Sequence, residues 1–202
     1  MSPLRRLTYH IQRLQEYSEL ANIGEIARRY FAMNAFDGVL TIIGVLMGNY
    51  SAHVRSSSTV LATGLSTCIA IGISGLWGAY LTESAERKRD LAELENYILT
   101  DLSQTKIGRA SRTAVVIVAL VDGLAPFLAA LVVLLPFFST TLWGEINISY
   151  YLSLGLALIT LFGLGVFLGN VSRQNLVISG AKKIGAGQAA MLPSYLLDVS
   201  GV

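Results

Sequence analysis

The sequence predicts an all-α, polytopic membrane protein of five transmembrane helices, with an N-terminal amphipathic helix and a cytoplasmic extension of the second span. Three observations carry this reading. Apolar residues make up 53% of the 202 residues and charged residues only 14%. The apolar residues fall into runs of about 20, the length that a hydrocarbon core of ~30 Å requires, and charged clusters separate these runs. Basic residues concentrate in alternate connections, as the positive-inside rule demands of a chain that crosses a bilayer repeatedly.

In order along the chain, residues 1–24 read as a basic amphipathic cytoplasmic helix, because Leu4, Leu7, Ile11, Leu14 and Leu20 recur at helical spacing among Arg, Gln and Glu. This stretch has no continuous apolar core and no small-residue cleavage site, so it is not a signal peptide, and the first span doubles as the insertion signal. The transmembrane domain, 25–202, has spans at about 30–50, 59–81, 113–138, 148–169 and 184–199. Span five is the weakest, being interrupted by Gly185, Gly187, Gln188 and Pro193. Span two runs on as a charged helix over 82–105, where neither Gly nor Pro interrupts it. The single cysteine, Cys68, lies in an apolar run, which excludes an intrachain disulfide framework and points to packing.

Orientation follows from counting Lys and Arg. The N-terminal segment carries five, and the successive links carry one, six, none and three; the C-terminus carries none. The N-terminus and the links after spans two and four are therefore cytoplasmic, and the C-terminus is outside. Aromatic residues agree with this map: Tyr30 and Tyr80 stand at cytoplasmic ends, and Tyr50, Trp143, Tyr150 and Tyr151 at outer ends, where amphipathic rings favour the headgroup layer. Lack of a targeting segment fits a prokaryotic plasma membrane.

The chemistry lies in two intramembrane carboxylates. Asp37 enters span one, and Asp122 enters span three, to a depth of roughly 10 to 14 Å from the cytoplasmic side at the helical rise. An ionised carboxylate at that depth faces a partner, water or an ion. Each is followed by a glycine, Gly38 or Gly123, which lets a neighbouring backbone approach. Met33, Asp37, Thr41, Gly44 and Gly48 recur at steps of three or four and share one face. That face offers a thioether, a carboxylate, a hydroxyl and bare backbone, a set suited to a partly hydrated divalent transition metal. In span three, Pro126 cannot donate to the carbonyl four residues earlier, which belongs to Asp122, so Asp122 has a carboxylate and a freed backbone oxygen to present. The alternative is that both aspartates are hydrogen-bonded packing residues.

Beyond the membrane, Glu83, Glu86, Asp90, Glu93, Tyr97 and Asp101 form one stripe on the extension of span two. Stacked like charges repel, so the stripe is a candidate for collecting cations near the pore mouth. Its alternative is a solvated helix in which Arg87 pairs with Glu83, and Arg89 with Glu86 and Glu93.

These residues resemble the vacuolar iron transporter family. Ala35-Phe36-Asp37-Gly38, followed by Thr41 and Gly48, is similar to the family's first-span Asn-Asp-Gly motif. Ser74, Gly78, Tyr80, Ser84 and Glu86 resemble its Ser-Met-x-x-Gly-Glu-Tyr stretch and the acidic helix that follows. Between Gly163 and Tyr195, the segment from Gly165 to Asn170, Asn175, Ser179-Gly180 and the closing Ala189-Ala190 and Tyr195 are similar as well. The resemblance implies a five-span homodimer with the ion path between subunits, exporting iron(II) or manganese(II) from the cytoplasm in exchange for protons. It implies that Asp37 ligates metal, that Glu83 and Glu86 begin a metal-collecting helix, with Asp90 and Glu93 following, and that the metal is cargo rather than a permanently bound cofactor. Three positions depart from the pattern: Phe36 replaces Asn, Gly75 replaces Met and Ala79 replaces Glu. By position, Met33 stands in for the lost sulfur and Asp122 for the lost carboxylate.

Other classes remain as alternatives: a passive cation channel, or a non-transporting scaffold or sensor. An enzyme is not expected, since His10 and His53 lie outside the spans and no nucleophile is paired with a base. Nucleic-acid binding is not expected either, because the basic residues follow membrane topology and form no single patch.

Overall fold

The computed structural model describes residues 23–200, with backbone alone at 141, 143 and 193–200. The expected amphipathic helix at 1–24 lies almost wholly outside the described residues. What is described is helical: α1 (Ile23–Ser51), α2 (Ser57–Ile98), α3 (Lys106–Phe138), the single turn α4 (Thr140–Trp143), α5 (Ile146–Val171) and α6 (Leu176–Ser200). Four of these, α1, α2, α3 and α5, are long and apolar enough to cross a membrane. A helix also occupies the place of the fifth expected span, starting at Leu176 rather than 184. The all-α membrane architecture expected from hydropathy is thus the one observed.

The chain divides into two compact units. One comprises the described residues up to Tyr30 with Ser74–Gly123, and the other comprises Phe31–Ile73 with the residues from Leu124 onward.

In the first unit, α2 continues without a break beyond its apolar part, as the lack of Gly and Pro predicts. It ends at Ile98, short of the expected 105. Leu99 takes a left-handed conformation (φ 54°) and stops the helix. The Glu95 carboxylate then accepts the Leu102 N–H at 2.8 Å, and Asp101 accepts the Ser103 N–H at 2.8 Å. Side chains thus satisfy amides that a longer helix would have used. The chain returns so tightly that a β-carbon at Gly108 would lie 2.7 Å from the Ser103 carbonyl oxygen.

In the second unit, Val39, Ile42, Ile43 and Leu46 of α1 join Val60, Cys68, Val133, Leu134, Phe137 and Leu161 in one buried core. Cys68 is a buried packing residue, as its apolar setting predicts. Tyr150 corrects the aromatic map. It is 1% exposed, with its ring 5.0 Å from Phe137 and 5.3 Å from Tyr50, and its hydroxyl donates to the Val54 carbonyl at 3.1 Å. It is a core residue whose one polar atom is satisfied, whereas Tyr151 beside it is exposed. Arg55 adds a hydrogen bond to Asn147. Helices α5 and α6 meet through small residues. β-Carbons at Gly165 and Gly169 would strike Ser179, and those at Gly180 and Gly187 would strike Phe162 and Leu161. Much of the C-terminal family-like pattern is therefore the signature of close helix packing, which small residues permit.

Candidate metal-handling face

The site is built on α1. One side of this helix, at Ala35, Val39, Ile42, Ile43 and Leu46, is buried in the core. The other carries Met33, Asp37, Thr41, Gly44 and Gly48, all of them exposed. The helical repeat that groups the five residues in sequence does so in space because the buried positions between them fix the rotation of the helix. β-Carbons at Gly44 and Gly48 would meet nothing within 4 Å. Thr41 Oγ1 donates to the Asp37 carbonyl at 2.8 Å. That bond consumes the hydroxyl proton within the helix and leaves the oxygen lone pairs to face outward as acceptors beside the carboxylate.

Rigid backing lies behind this face. A β-carbon at Gly38 would collide with the backbone of Pro126, so α1 and α3 touch main chain to main chain one residue from Asp37. Phe36, on the other side of Asp37, carries the Lys183 ammonium 3.4 Å from its ring centroid, and Lys183 also interacts electrostatically with Asp37. In the sequence, Lys183 reads only as a topological charge in the link before span five. Its clue was the start of a helix at Asn175, whose side chain caps the Val177 and Ile178 amides and brings Lys183 inside α6.

Asp122 belongs to the first unit and Asp37 to the second, so neither unit alone contains both carboxylates. Within the first unit, the Tyr30 phenol interacts electrostatically with Glu83, Asp122 and Glu86. Sequence reading assigned Tyr30 only an interfacial role. The carbonyl oxygen that Pro126 frees on Asp122 is directed at a glycine, since a β-carbon at Gly75 would lie 2.8 Å from it. This explains one family departure: with this backbone, the methionine expected at position 75 has no room. A β-carbon at Gly78, one turn further on, would meet nothing within 4 Å.

The acidic stripe divides. Glu83 is buried and pairs with Arg87 at 3.4 Å, and the exposed Glu93 pairs with Arg89 at 3.0 Å. Asp90 and Arg87 line a shallow cleft with Ile107 and Ser111. Glu86 is exposed. Asp101 serves the turn, and hydrogen bonds from Ser103 hold its carboxyl below the usual carboxylate range. Among the described residues, no group of three or more His, Cys, Asp or Glu side chains converges tightly enough to hold an ion.

Comparison with known proteins adds identity to this geometry. Residues 29–98 match the model of the VIT family, a segment that includes the Asp37 face and the acidic extension of α2. An uncharacterized protein of Methanocaldococcus jannaschii is 29% identical over 178 residues, which cover 87% of this chain and 90% of that protein. The likeness to the VIT family covers about a third of the chain, and it agrees with the all-helical membrane architecture and with the aspartate on the first candidate span.

Proposed function

We propose that this protein exports divalent transition metals, iron(II) and manganese(II), from the cytoplasm in exchange for protons, as a homodimer whose ion path runs along the Asp37 faces of two copies. The observation that carries this reading is the exposure of Asp37, with Met33, Thr41, Gly44 and Gly48, on α1, where Asp37 is the only charged residue from Tyr30 to Ser51. A charged carboxylate turned toward lipid costs about 2.5–3.5 kcal/mol on insertion scales. A second copy of the same face removes that cost and supplies two carboxylates and two thioethers, donors that favour borderline transition metals over hard cations. Glu86, Asp90 and Glu93 raise the local cation concentration at the cytoplasmic entry. In this reading the protein sits in a prokaryotic plasma membrane, and the alternation of basic links supports an orientation with the N-terminus in the cytoplasm and the C-terminus outside. Metal is cargo, and no resident cofactor is required.

Uptake by proteoliposomes under imposed pH gradients tests the reading, with iron(II), manganese(II), cobalt(II) and calcium offered in turn. The expected result is gradient-dependent flux of iron(II) and manganese(II) that Asp37→Ala abolishes and Asp122→Ala impairs. Flux indifferent to the pH gradient would instead identify a passive cation channel. Absence of flux for every ion would leave a scaffold or sensor.

A further inference from the structure

We infer that Lys183 is a specificity-determining residue of the Asp37 site: its ammonium, seated on the Phe36 ring beside Asp37, is a tethered cation that occupies the site when it is empty and competes with the metal that loads it. This inference rests on the proposed transport reading. Lys183 is half-buried near the start of α6, whereas Lys182 beside it is exposed. Its ammonium lies 3.4 Å from the Phe36 centroid, well inside the range of a cation–π contact. The same ammonium interacts with Asp37. Among the described residues, the two form no ion pair within 4.0 Å, so the carboxylate is compensated without being clamped.

The family departure at position 36 takes on meaning here. An asparagine would offer a carbonyl oxygen to a metal, whereas Phe36 offers no ligand atom and a π face that seats an organic cation. The swap removes a donor for the metal and supplies a seat for the lysine. A fixed positive charge beside the carboxylate repels a divalent ion twice as strongly as a monovalent one. It therefore weakens loading and speeds release.

The test compares wild type, Lys183→Met, Lys183→Gln, Lys183→Arg and Lys182→Met in proteoliposomes over a range of manganese(II) concentrations, alongside direct manganese(II) binding by electron paramagnetic resonance. Removing the charge at 183 is expected to lower the half-saturating concentration and the dissociation constant about tenfold and to reduce the maximal rate. Arg at 183 and Met at 182 are expected to stay within about twofold of wild type. In an Asp37→Asn background, Lys183→Met should change binding less than about twofold, since the coupled partner is gone. The Gln variant keeps the test open if Met at 183 fails to fold. Unchanged or weaker manganese(II) binding in the charge-free variants, with wild-type transport intact, would overturn this inference and leave the transport reading standing. A wild-type protein that neither binds nor moves manganese(II) would overturn both.

Discussion

The Asp37 face of α1 and the acidic extension of α2 both present carboxylates at helical spacing, yet the protein supports them in opposite ways. Asp37 stands on a fixed platform, with Gly38 locked against the Pro126 backbone and Phe36 carrying Lys183. The paired carboxylates of α2 rely on arginines one turn away on the same helix, as in the exposed Arg89–Glu93 pair. A carboxylate in lipid must be positioned by the fold, because nothing else there solvates it. One in water need not be, and exposed i,i+4 ion pairs contribute only about 0.3–0.5 kcal/mol. The first region should therefore be intolerant of change and the second redundant.

Asp37→Asn breaks the comparison most directly. It keeps the shape and removes the charge, and manganese(II) flux is expected to fall by about 100-fold or more, comparable with the loss of a metal-site group. Residual flux within tenfold of wild type would place the essential carboxylate elsewhere, Asp122 being the next to test.

The glycines of α1 sharpen the contrast within one helix. Gly38→Leu drives a side chain into the Pro126 backbone and should destabilise the protein by about 1–3 kcal/mol, read as a lower melting temperature in detergent. Gly48→Leu meets open space within the chain and should leave that melting temperature nearly unchanged while weakening dimerisation and flux. Equal destabilisation by the two substitutions would remove the distinction between a packed and an open side of α1.

The redundant region calls for a larger substitution and a smaller expected effect. Changing Glu86, Asp90 and Glu93 together to Gln, Asn and Gln should raise the half-saturating metal concentration about two- to fivefold at low ionic strength, and the difference should shrink at high salt as screening sets in. Loss of transport at every salt concentration would instead make the stripe part of the ion path.

Much of this contrast is legible in the sequence, for reasons that also explain what is not. The α1 face reads correctly because burial of Val39, Ile42 and Leu46 enforces the same periodicity that groups Met33, Asp37 and Thr41. Long apolar runs likewise determine where the helices lie. The end of α2 does not read, because a left-handed leucine and a distant Glu95 carboxylate terminate it where glycine would be the usual signal. Tyr150 and Tyr151 are the same residue type at adjacent positions, and only tertiary packing makes one core and the other surface. Gly75 reads only as a departure from the family pattern until the Asp122 carbonyl is found against it. Lys183 looks like a positive-inside charge because topology counting sees the charge of a lysine and not its neighbours.

Asp101 is the last member of the stripe and the one whose role is local. Its carboxylate accepts the Ser103 N–H at 2.8 Å and thereby closes the turn after α2. Hydrogen bonding to the charged form lowers its pKa below the unfolded value. The sign follows: stabilisation of the turn is fully present above the unfolded carboxylate value, about 3.9, and is lost as pH falls through the lower folded value. A nuclear magnetic resonance titration of the Ser103 amide should therefore show a transition with its midpoint below about pH 3.9, absent in Asp101→Asn. Manganese(II) flux near neutral pH should be unaffected by that substitution, because the turn it closes is remote in role from the Asp37 platform. A titration midpoint above the unfolded value would show that like-charge repulsion along the stripe outweighs the Ser103 hydrogen bonds. In that case the acidic extension would act as one coupled electrostatic unit, and its carboxylates could no longer be treated as redundant with one another.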